Sequence, residues 1–149
     1  MVRTRSPITD DPRITDYGRF VEAQRHLNSV FDKSLRTQVG ISIVWYEALI
    51  RLARSEDRVL PINELGRAMN LTSGGATRLV DRLESAGYIE RTSCPTDRRV
   101  SWIRLTDAGT KITEQATRMH LADLHEHFGS RLSEDEIASL SHIMDRLRV

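Results

Sequence analysis

The stretch that most limits what this chain can become is residues 72–104, where an amphipathic helix runs directly into a basic hairpin. Thr72 is a good N-cap and Gly87 a good residue just past a helix end, so a helix is predicted between them. Ala76, Leu79, Val80 and Leu83 fall at i, i+3, i+4 and i+7, which marks one buried face. Gly74, Thr77, Arg78, Asp81, Arg82 and Ser85 repeat that spacing on the opposite face, small residues first and two arginines after them. A face of this kind can come close to another polymer before its side chains engage. Residues 88–92 and 100–105 alternate apolar and polar and are predicted strands. From Arg91 to Arg104 four arginines stand against one aspartate, the steepest basic bias in the chain.

The segments on either side say how this unit is supported. Residues 42–54 are apolar almost all round, with Glu47, Arg51 and Arg54 as the only polar stripe, which predicts a helix in the middle of a fold. Trp45 and Tyr46 suit core packing, and equally the wall of a small-molecule pocket. Residues 59–60 form at most a scrap of strand. Pro61 then leads into a short helix capped by Asn63, with Ile62, Leu65 and Met69 facing inward. Short helix, tight turn at residues 70–72 and polar-faced second helix make a helix-turn-helix, and the basic hairpin adds a wing. At the N-terminal end, residues 15–38 form an amphipathic helix with Tyr17, Phe20, Val21, Leu27, Val30, Phe31 and Leu35 on its stripe, ended by Gly40. At the C-terminal end, Thr106 caps a helix to about residue 128 whose weaker stripe is Ala108, Ile112, Ala116, Met119, Ala122 and Leu124. Ser133 and Glu136 form a capping box that opens the last helix.

The predicted fold is therefore mainly α with a small β-wing, in one domain. Residues 1–14 are an arm, in which Arg3 and Arg5 are either a solvated tail or phosphate contacts. Residues 15–40 and 106–149 are terminal helices forming a dimerisation region, and residues 41–105 are a winged helix-turn-helix lobe. Net charge is only +1, but the positive charge of the central region sits in the hairpin. That excludes a non-specific polycation and points to a focused DNA contact. No hydrophobic run is long enough to cross a membrane, and a single cysteine forms no intrachain disulfide, so a soluble cytoplasmic protein is expected. There is no nucleophile motif and no Gly-rich phosphate loop after a strand, so neither an enzyme nor a cofactor is expected.

Three passages resemble the MarR family of bacterial transcription regulators: residues 40–52, residues 71–89, and Asp97-Arg98-Arg99 followed five residues later by Leu105-Thr106-Asp107-Ala108-Gly109. The resemblance covers the middle half of the chain; the terminal helices fit in length and order only. It implies a homodimer with element order α-α-α-α-β-β-α-α, binding a pseudopalindromic operator in double-stranded DNA. Each recognition helix would enter a major groove and each wing an adjacent minor groove. The DNA-binding set implied is Thr72, Ser73, Gly74, Gly75, Thr77, Arg78 and Arg82, with Arg98 and Arg99 at the wing and Asp97 orienting an arginine there. Amides at the helix start can donate to phosphate, Arg78 can read guanine, and a wing arginine gains from the potential of a narrow minor groove. Arg82 and Arg104 contact phosphate or form solvated ion pairs. The resemblance also implies a repressor released by an effector, with a small anionic aromatic as default and Arg36, Trp45 and Tyr46 as candidate contacts.

Three other readings stay open at this point. Cys94, near Arg91, Arg98 and Arg99, is either a redox switch or an ordinary wing residue. His26, His120, His125 and His127 lack the i, i+4 pair usual for zinc on a helix, so no metal site is expected. A dimeric winged-helix module that binds another protein is the rival from a different functional class.

Overall fold

The computed structural model describes residues 8–93 and 101–148. Its first helix, α1 (Pro12–Gln38), begins three residues before the expected start, inside the predicted arm. Asp11 is the N-cap and Pro12 the first helical residue, a pairing that fixes a helix start. The Asp11 carboxylate accepts from the Arg13 amide at 2.9 Å. Gly40, at φ +83°, ends the helix, with its amide donating back to the Leu35 carbonyl.

Helix α2 (Ile43–Ala53) is capped by Ser42, whose hydroxyl accepts from the Trp45 amide. It lies at the centre, as its nearly all-apolar surface requires: Ala48, Leu49 and Leu52 are fully buried. A second tie fixes the corner between α1 and α2. Asp32 accepts from the Ile43 amide at 2.8 Å and from Arg36 Nε at 2.6 Å. Burial works to raise the Asp32 carboxyl, but the hydrogen bonds from Arg36 and the Ile43 amide hold it below its ordinary value.

The chain then forms β1 (Val59–Pro61), α3 (Ile62–Ala68), α4 (Ser73–Ser85), β2 (Ile89–Ser93) and β3 (Ser101–Leu105). The three strands make one antiparallel sheet in the order β1-β3-β2. The third strand adds to the two-stranded wing implied by the resemblance. Helix α3 starts directly after Pro61, so Asn63 lies inside it and is not its cap; the Asn63 side-chain Oδ1 accepts from the Glu64 amide instead.

Helix α5 (Asp107–His127) is capped by Thr106, and α6 (Glu134–Leu147) opens with the predicted Ser133–Glu136 capping box. The expected stripe of α5 holds in part: Ala116 is buried and Ile112 and Met119 pack against the core. Gly109, Thr113, Ala116 and Asp123 are buried, whereas Ala108 and Ala122 are exposed. Thr113 can be buried because its hydroxyl donates to the Gly109 carbonyl at 2.6 Å, which hides its polarity from the core. One core joins α1, α2, α3, α4, the sheet and α5 through Leu35, Leu49, Leu65, Leu83, Ile103 and Ala116. The first half of α1 and the whole of α6 stand outside it. Tyr17, Phe20, Leu121, Ile143 and Leu147 are exposed apolar side chains on α1, α5 and α6. No helix of the described residues is long and apolar enough to cross a membrane.

Candidate nucleic-acid interface

Helix α4 and the elements beneath it build the candidate site. The Thr72 hydroxyl accepts from the Gly75 amide at 3.1 Å, which leaves the Ser73 and Gly74 amides at the exposed helix start. Ala76, Leu79, Val80 and Leu83 are buried, as their spacing predicts. Thr72, Ser73, Gly74, Thr77, Arg78 and Arg82 are all exposed along the opposite face.

The two glycines differ. A Cβ on Gly74 would meet nothing within 4 Å, so this position is open to an approaching surface. A Cβ on Gly75 would stand 3.2 Å from the Thr72 hydroxyl, so this glycine serves the cap rather than the outer surface. Thr77 donates its hydroxyl to the Ser73 carbonyl, which leaves the oxygen's lone pairs outward. Arg78 and Arg82 form no ion pair with any described residue.

The packing of α3 under α4 depends on a small pair. A Cβ on Gly66 would stand 3.0 Å from the Ala76 Cβ, so the two helices meet almost at backbone distance. Asn70 makes the turn between them at φ +53°, a conformation that asparagine tolerates. At the other end, Gly87 at φ +77° closes α4, and the Tyr88 amide donates to the Leu83 carbonyl.

The hairpin arginines do not act alike. Arg91, on β2, reaches back to α4 and pairs with both Asp81 and Glu84, while its own amide donates to Glu84 at 3.0 Å. The hydrogen bond to Asp81 is the largest of the influences that hold the Arg91 guanidinium above its ordinary value. Asp81 is the one carboxylate among the residues read as the exposed face of α4, and Arg91 holds it in an ion pair that it shares with Glu84. Nothing in the local spacing announces this contact, because residues 81 and 91 lie on different elements. Asp97, Arg98, Arg99 and Cys94 lie outside the described residues, as do Arg3 and Arg5.

The candidate effector residues are not brought together. Arg36 is exposed and held by Asp32. Trp45 is half-buried and meets the Tyr88 ring edge-on, with centroids 6.1 Å apart. Tyr46 is buried and points the other way, with its hydroxyl 3.3 Å from that of Thr117 and its ring 5.0 Å from the His120 imidazole. His120 is packed between Tyr46 and Phe31. Among the described residues no group of three His, Cys, Asp or Glu side chains is placed to hold a metal ion.

Comparisons with known proteins agree with this architecture. The family model for the MarR family matches residues 39–100. The multiple antibiotic resistance protein MarR of Escherichia coli strain K12 is 33% identical over 84 residues, 56% of this chain and 58% of that protein. The transcriptional repressor MprA of the same organism is 33% identical over 116 residues, 78% of this chain and 65% of that protein. The matches thus span under two thirds of the length of these two relatives. Among solved structures, Sco3205 of Streptomyces coelicolor, a MarR family transcriptional regulator in complex with DNA, superposes with a TM-score of 0.86 at 28% identity, covering 93% of this chain and 87% of that one. In sequence and in fold, the chain is similar to the MarR family of winged helix-turn-helix regulators, whose family model and solved structures it matches.

Proposed function

We propose that this protein is a transcription regulator, not an enzyme, that binds a pseudopalindromic operator as a homodimer. The observation that carries the reading is the outer face of α4. It presents the open Gly74, the small Ser73 and Thr77, and the cations Arg78 and Arg82, which pair with no described residue, while its one carboxylate is held in an ion pair by Arg91. In the proposed complex, Thr72, Ser73, Gly74 and Gly75 bring the helix start against phosphate. Thr77 and Arg78 reach base edges in the major groove, and Arg82 contacts phosphate. Arg98 and Arg99, with Asp97 beside them, would serve an adjacent minor groove from the wing. Sco3205 is described in complex with DNA and MprA as a repressor, which supports DNA as the ligand and repression as the polarity.

The dimer reading rests on the apolar side chains that a single chain leaves in water. Tyr17 and Phe20 on α1, Leu121 on α5, and Ile143 and Leu147 on α6 are 46–70% exposed. A second copy would cover them, with residues 15–40 and 106–149 forming the dimerisation region. Release by a small anionic aromatic molecule belongs to the same proposal; of its candidate contacts, Arg36 and Trp45 are accessible in a single chain, and Tyr46 would need its packing against Thr117 and His120 to open.

Selection of bound duplexes from random DNA tests the reading. The expected result is a two-fold symmetric consensus bound with steep salt dependence. A bound pool with no consensus would remove sequence-specific regulation and favour a protein-binding module.

A further inference from the structure

We infer that Arg67, on α3, is a further DNA contact that holds the phosphate strand lying between the two grooves; this rests on the DNA-binding reading above. Two elements that enter adjacent grooves must straddle the sugar-phosphate strand separating them. Beside α4, a concavity is framed by α3, α4 and Ser101, the first residue of β3. Its polar lining is Asn63, Arg67, Asn70, Ser73, Thr77 and Ser101.

Four features suit this concavity to a phosphate strand. First, none of its described lining residues is acidic. The depressions that share Glu64 mix charges instead: Glu47 and Glu64 lie with Arg51 and Arg54 in one, and Glu56, Asp57 and Glu64 with Arg104 in the other. Second, Arg67 is the one cation on the described lining, and it is exposed and forms no ion pair with any described residue. Third, Asn63 and Arg67 are four residues apart on α3 and so lie on one stripe. The Asn63 side-chain carbonyl is occupied by the Glu64 amide, which leaves its NH2 as an outward donor. Fourth, Gly66 and Ala76, the small residues at which α3 and α4 meet, also line it, so no bulky side chain stands at that point.

A phosphate needs a placed charge and donors, not a base-specific fork, so Arg67 contributes affinity and position rather than sequence preference. It acts together with Asn63 as a clamp on the strand that α4 and the wing bracket.

The test measures operator affinity against salt for wild type, Arg67→Ala, Arg67→Lys and Arg51→Ala, using a duplex selected by the wild-type protein. Removing one phosphate contact per subunit should lower the slope of log affinity on log salt by about 1.8. From about 50 to about 200 mM salt, wild type should then lose about twelve-fold more affinity than Arg67→Ala. The preference among sequences should not change. Arg67→Lys should recover most of the slope, since a point charge serves a phosphate. Arg51→Ala, on the exposed stripe of α2, should match wild type. An Arg67→Ala slope equal to that of wild type would overturn the inference and leave the DNA-binding reading intact. Failure of the wild-type protein to select any duplex would instead remove the reading on which it rests.

Discussion

Gly109 gives the sharpest test of how the lobe is joined to the terminal helices. It lies in the first turn of α5, where a Cβ would stand 1.9 Å from the Tyr88 carbonyl oxygen and 2.8 Å from its carbon. A third contact, at 2.9 Å, is with Leu105 Cδ1. No rotamer change relieves the first two, because both atoms are backbone. Alanine at this position must push α5 away from residue 88 by roughly 1 Å or more in a close-packed region. Strain of that kind costs about 1–3 kcal/mol. The shift also breaks or lengthens the bonds from the Thr106 amide to the Tyr88 carbonyl (3.1 Å) and from the Thr106 hydroxyl to the Gly87 carbonyl (2.7 Å). These are worth about 1 kcal/mol each. Against this stands a helix-propensity gain of at most about 1 kcal/mol for alanine over glycine. The net expectation for Gly109→Ala is a loss of about 2–4 kcal/mol, or a melting temperature lower by roughly 5–15 °C. Gly18→Ala is the internal control: it sits within α1, a Cβ there meets nothing within 4 Å, and it should gain about 0.5–1 kcal/mol. Thermal and urea melts at one fixed protein concentration measure both, since association would otherwise shift the midpoint. A Gly109→Ala protein that melts at or above wild type, alongside a stabilised Gly18→Ala, would refute the close approach.

Arg91→Ala should leave Asp81 unpaired on the outer face of α4 and so weaken operator binding, while Arg91→Ala with Asp81→Ala should recover much of the loss. Equal binding by the single and double variants would show that Asp81 does not face the phosphates. Protonation of His120 should destabilise the fold at acid pH. Burial holds its imidazole below the ordinary value, with the nearby Asp123 opposing that shift only in part. The unfolded imidazole gains its proton at about pH 6.5, before the folded one does, so stability is complete above that pH and declines as pH falls below it. Urea melts of wild type and His120→Gln at several pH values test this; an undiminished acid slope in the variant would assign the loss to other groups.

Where the sequence could be read, local chemistry and periodicity agreed. The buried face of α4, the all-apolar α2 and the capping box of α6 needed only spacing and cap residues, and each stands where those signals put it. What could not be read depended on contacts between distant elements. Strand β1 was legible only as a scrap at residues 59–60; its place in the sheet comes from Leu60 pairing with Ile103, a partner 43 residues away. The buried face of α5 was legible at Ile112, Ala116 and Met119 but not at Thr113, whose hydroxyl is satisfied by its own helix, and two alanines counted as apolar are exposed. Arg91 read as part of a basic wing, yet it is bound to α4; only the fold brings it to Asp81 and Glu84. Gly109 was legible as a motif position, but its reason, the Tyr88 carbonyl, was not.

The Thr106 bonds to residues 87 and 88 fasten the start of α5 to the end of α4, and this makes α5 a lever. Its 21 residues, at about 1.5 Å each, span about 32 Å. In the proposed dimer the far portion of that rod lies with the interface helices, while the near end carries the recognition helix. A swing of roughly 5° about the far end moves the near end by about 3 Å, close to the 3.4 Å step of one base pair. A few degrees of rearrangement among the terminal helices is therefore enough to detune the separation of two α4 helices from a fixed half-site spacing, without any change inside the lobe itself.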